Sequence, residues 1–72
     1  MEELARYRCV GDDETPIIVV ERRYVHLSRS GNGTRRHLGA RRLTLETGEV
    51  VRLVGDDLFE VVDTGELIRR LR

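Results

Sequence analysis

Between Glu21 and Arg42 the sequence places seven arginines against one acid, the largest concentration of one chemistry in the chain. A guanidinium offers a planar fork of donors that matches carboxylate and phosphate oxygens. Arg22, Arg35, Arg36, Arg41 and Arg42 are therefore candidate phosphate contacts, of the kind that position a nucleic acid without reading its sequence. Two features weigh against that use. Tyr24 is the sole aromatic inside the basic segment, whereas base stacking ordinarily draws on several. Thirteen arginines against thirteen acids also leave a formal net charge of zero, unlike the strongly basic balance of nucleic-acid domains. From Glu46 to Glu66 the bias reverses, with seven acids against one Arg. The expectation is that the two segments pair as neighbouring strands and neutralise each other, with a polyanion-binding face as the alternative.

Other combinations carry less. Ser28 or Ser30, His26 or His37, and Asp56 or Asp57 supply the residue types of a catalytic triad, but a triad is defined by geometry. Asp12-Asp13 and Asp56-Asp57 stand beside glycine, where Asp is expected for turn reasons. Cys9, His26 and His37 lack the paired spacings of zinc modules, and Cys9 in mid-strand reads as a small buried hydrophobe. Ser-Gly-Asn-Gly-Thr at 30–34 has neither a following helix nor the Gly-Lys-Ser/Thr of a phosphate-binding loop, so residues 28–34 read as a mobile hairpin loop with Asn32-Gly33 as its tight turn. No catalytic residue, cofactor, metal ion or small-molecule substrate is expected, and the chain does not read as an enzyme.

The elements that must position these residues are written into a repeat. Glu46-Thr47-Gly48-Glu49-Val50-Val51-Arg52 is echoed by Asp63-Thr64-Gly65-Glu66-Leu67-Ile68-Arg69. Each copy predicts a hairpin with a three-residue loop whose Gly takes the left-handed position. The first pairs Leu43 with Val51, and the second pairs Val61 with Leu67. Gly55-Asp56-Asp57 supplies the turn between them. Upstream, Arg6–Val10 alternates as a half-buried strand. The run Ile17–Leu27 is long enough to bend, and Gly39 predicts a bulge in the strand that returns to Leu45.

The whole is an all-β fold: one domain over residues 1–72, with about five mostly antiparallel, strongly bent strands in a small barrel or curled meander. In strand count and turn spacing it resembles SH3-like and OB-like barrels, a likeness that implies no shared function. The expected core is Tyr7, Cys9, Ile17, Val19, Val25, Leu27, Leu43, Leu45, Val51, Leu53, Phe59 and Val61. The longest apolar run, Ile17–Val20, is far short of a membrane span, and a single cysteine suits a reducing compartment, so a cytoplasmic location without membrane contact is expected. The function expected first is a non-catalytic protein-interaction or self-associating module, with a protein partner or a second copy. Its motives are the two-faced run Ile17–Val20, the set Leu58, Val62 and Ile68, and the edge strands of a meander. Binding of RNA or single-stranded DNA through the arginines is the alternative.

Overall fold

The structure, a computed structural model, describes residues 1–31 and 33–71, with Ser30 by its backbone alone. It holds six strands rather than about five: β1 (Glu2–Val10), β2 (Pro16–Ser30), β3 (Gly33–Leu45), β4 (Val50–Gly55), β5 (Leu58–Val61) and β6 (Leu67–Arg70). They form an antiparallel meander that closes into a barrel, β6 pairing back onto β1 through Cys9↔Arg70 and Val10↔Arg69. Closure removes the free edges that a curled sheet would have offered to a partner.

The core is small, as the scarcity of aromatics dictates. Cys9, Val19, Val51, Phe59, Val61 and Ile68 are buried together, with Tyr7, Ile17, Leu43 and Leu45 packed against them. Tyr7 and Phe59 stand with ring centroids 6.0 Å apart, and the Arg70 guanidinium lies 4.6 Å from the Tyr7 centroid, within cation–π range. Leu43 pairs with Val51 as the first Thr-Gly turn predicts, and Gly48 and Gly65 both take positive φ, 105° and 75°.

The second hairpin corrects its expected register. Phe59 pairs with Ile68 and Glu60 with Leu67, because Val62 joins the turn and makes the loop four residues long. A one-residue slip exchanges the faces of a strand. Ile68 is therefore fully buried and Leu67 exposed, and the set Leu58, Val62 and Ile68 is not a common outer face. Val20, within the run expected to need a partner's cover, is likewise fully buried. Val25, Leu27 and Leu53 are not core residues: Val25 is half-buried, and Leu27 and Leu53 are exposed.

These last residues point to the dominant feature. β2 and β3 have 15 and 13 residues, while β4, β5 and β6 have between four and six. At about 3.3 Å per residue the long pair outruns the barrel and continues as a two-stranded arm. The molecule accordingly measures 54 × 24 × 21 Å. Residues 28–34, expected as a mobile loop, are mostly ladder: Ser28↔Arg35, Arg29↔Thr34 and Ser30↔Gly33 pair to the end of the arm. The expected Asn32-Gly33 turn falls partly outside the described residues, since Asn32 is not among them.

Candidate functional site

The arm leaves the barrel at a bulge. Arg23 pairs with Arg41 and Val25 with Leu38, so Tyr24 on β2 faces both Gly39 and Ala40 on β3. A Cβ at Gly39 would stand 2.9 Å from the Tyr24 Cβ and 3.1 Å from its carbonyl oxygen, which is why the predicted bulge needs glycine there. Beyond it, among the described residues, neither strand pairs with a second neighbour, since β1 pairs with β2 only as far as Arg23 and β4 with β3 only at Leu43 and Thr44.

Alternation divides the arm into two faces. One continues the barrel interior, with Val25, Leu27 and Arg29 beside Leu38, Arg36 and Thr34. Leu27 is 63% exposed and Leu38 59%, a large apolar area for so small a protein to leave uncovered. The other face carries Tyr24, His26 and Ser28 beside His37 and Arg35. Ser28 Oγ lies 2.8 Å from His37 Nε2, and the two imidazole centroids are 6.0 Å apart.

The five candidate arginines do not form one face. Arg22 and Arg42 stand opposite each other on the side of Tyr24, where Arg42 Nη1 donates to the Tyr24 hydroxyl at 2.8 Å and Arg22 Nη1 to Thr44 Oγ1 at 2.9 Å. Arg35 shares their side, nearer the tip. Arg36 and Arg41 point the other way and are met by carboxylates: Arg36 by Glu2, and Arg41 Nη1 by Glu21 Oε1 at 3.3 Å. The same Glu21 accepts from the Tyr7 hydroxyl at 3.1 Å, and burial, then that bond, raises the Tyr7 pKa. Sequence reasoning missed Arg23, half-buried with its Nε unpartnered, and the exposure of Leu27 and Leu38. The Ser30↔Gly33 pairing, once known, generates both faces. The alternating Val25, Leu27 pattern was the available signal, read as barrel core.

The acidic hairpins do not lie against the arm, contrary to the expected neutralisation. In a meander, successive connections alternate between the two ends. The loops 11–15, 46–49 and 62–66 therefore share the end opposite the arm. Two of them touch, with Glu66 Oε1 2.9 Å from where a Cβ on Gly11 would stand. Together they carry Asp12–Glu14, Glu46, Glu49, Asp63 and Glu66, seven carboxylates and no arginine. Hydrogen bonding lowers the pKa of two of them, Asp13 through the Thr15 side chain and backbone and Glu49 through the Thr47 hydroxyl. Beside these loops an open groove of about 240 Å³ is lined by Pro16, Ile17, Ile18, Leu45, Glu46 and Thr47. Val50, Val62 and Leu67 are exposed near the same end.

The paper triad is not assembled. Ser28 meets His37 on the arm, while Asp56 and Asp57 occupy the β4–β5 turn. Among the described residues no cluster of three or more His, Cys, Asp or Glu could hold a metal ion, and no helix is long and apolar enough to cross a membrane. Cys9 is buried and its thiol pKa raised by that burial. What the arrangement offers is a surface: an arm that is apolar and basic on one face and basic with imidazoles on the other. No protein-family model, curated protein or solved structure matches the chain.

Proposed function

We propose that the protein is a non-catalytic protein-interaction module whose working surface is the β2–β3 arm. The observation that carries this reading is the exposure of Leu27 and Leu38 on a ribbon held by one hairpin ladder. An isolated two-stranded hairpin is marginally stable in water. A ribbon that keeps apolar side chains in solvent and two unpaired edges suits a partner that covers the leucines and extends the sheet. The surrounding arginines would select an acidic partner and steer its approach.

Nucleic-acid binding is the second reading, favoured by Arg22, Arg35 and Arg42 on the side of Tyr24. Arg36 and Arg41, already engaged by carboxylates, are less suited to it.

A photoreactive phenylalanine analogue at Leu38, with the same group at Val54 as a control, separates the two. Irradiated in a lysate of the source cells, the Leu38 protein is expected to give discrete protein adducts that the Val54 protein does not. Nuclease-sensitive adducts from Leu38 would replace the first reading by the second. Equal labelling from both positions would remove the arm from either.

A further inference from the structure

Resting on the interaction reading, we infer that the arm's partner is a second copy of this chain, bound antiparallel so that each arm lies along the acidic end of the other barrel. The inference starts from charge. Residues 22–42 contain seven arginines and no acid, and the three loops at the opposite end contain seven carboxylates and no arginine. The chain thus has zero net charge, yet its arginine-bearing hairpin and its carboxylate-bearing loops project from opposite ends of a 54 Å molecule. Screening at physiological salt acts over about 8 Å, so the two ends do not neutralise each other within one molecule. A second molecule turned end for end brings each into contact with its complement twice over. Because both contacts are the same, the pair closes on a two-fold axis, whereas a single head-to-tail contact would propagate into a filament.

Apolar chemistry matches along with charge. Leu27 and Leu38 share a face with Arg29 and Arg36. At the acidic end, the groove of about 240 Å³ between Pro16–Ile18 and Leu45–Thr47 is apolar along its β2 and β3 walls and carries Glu46 on its rim. A cavity of about 150 Å³ accommodates a benzene-sized group, so the groove has room for a leucine side chain of the arm. Val50, Val62 and Leu67 extend the apolar surface at that end. The paired surfaces would therefore each combine exposed aliphatic side chains with charge of one sign, the combination that gives an interface both burial and register.

The test is a charge exchange followed by light scattering and sedimentation. The wild type at about 50 µM in low salt is expected to show twice the chain mass and to fall toward the single-chain mass as salt rises. Arg29→Glu/Arg36→Glu leaves residues 25–38 with two acids against Arg35, and Glu46→Arg/Glu49→Arg makes the loop beside the groove basic. All four positions are exposed, so both variants keep the barrel, which circular dichroism checks. Each variant alone is expected to be monomeric, since its arm and the groove loop that the arm meets now carry charge of one sign. An equimolar mixture is expected to regain the double mass, because each arm again meets an opposite charge. A monomeric wild type, or variants that stay paired on their own, would overturn the inference. Failure here is distinguishable from failure of the interaction reading. A monomeric wild type whose Leu38 probe still captures other proteins leaves the module intact with a foreign partner, while equal labelling from Leu38 and Val54 removes the module itself.

Discussion

Individual side chains in this barrel are set by where alternation points them, and Cys9 shows the consequence most directly. It is 1% exposed, its Sγ contacts the Tyr7 carbonyl oxygen at 3.6 Å, and burial raises its thiol pKa above the ordinary value of 9.0. The thiolate is the reactive form, so burial suppresses reaction through both access and ionisation. At pH 8 the folded protein is expected to react with Ellman's reagent far more slowly than the urea-unfolded chain, at a rate that follows opening of the barrel. Labelling at the unfolded rate would place the thiol at the surface. The sign of the pH effect follows from the same shift. A folded pKa above the unfolded one confers stability that is complete below the unfolded thiol's value and is lost as pH rises through the folded one. The role of this residue was legible in the sequence, because one alternating strand is enough to place it.

Elements were legible to the extent that their turns were. The loop Glu46–Gly48 has the length its Thr-Gly signature predicts, and the pairing Leu43↔Val51 follows, although Leu53 on the same strand is exposed rather than core. The second copy has the same signature but a loop one residue longer, and nothing in Val61-Val62-Asp63 tells from sequence which valine ends the strand. The consequence is large, since it exchanges Leu67 for Ile68 in the core. Paired substitutions measure the register. Ile68→Ala is expected to cost about 2–5 kcal/mol, the usual range for emptying a packed site, and Leu67→Ala under about 1 kcal/mol. Urea unfolding reads both, and the reverse order would restore the three-residue loop. β3 shows the same dependence: Gly39 marked the bulge correctly, but the length of strand beyond it rested on pairing as far as Ser30↔Gly33, in a stretch that composition presented as a loop.

At the scale of the molecule, the charge asymmetry of the sequence was visible while its meaning was not. Two oppositely charged segments adjacent in sequence can neutralise each other or be held apart, and the choice depends on which ends of the strands the connections occupy. A six-stranded meander sends the loops 11–15, 46–49 and 62–66 to one end and the long hairpin to the other, so those carboxylates are separated from the arm, while the Asp56-Asp57 turn stays at the arm's end. The same topology makes the arm an addition to the barrel. Six of the seven buried apolar residues form one cluster, and none of the seven belongs to the arm beyond Arg23. The barrel closes through β1, β4, β5, β6 and the barrel halves of β2 and β3. Replacing residues 25–38 with Asn-Gly, a dipeptide suited to a tight hairpin, removes the projecting ribbon and the exposed leucines. The shortened chain is expected to unfold in a single cooperative transition, with a midpoint within a few degrees of the intact monomer's in high salt. In low salt the intact protein is expected to gain stability with concentration through association, and the shortened chain to show no such gain. Loss of cooperative unfolding in the shortened chain would show instead that the barrel depends on its arm, and that the ribbon serves the fold before it serves a partner.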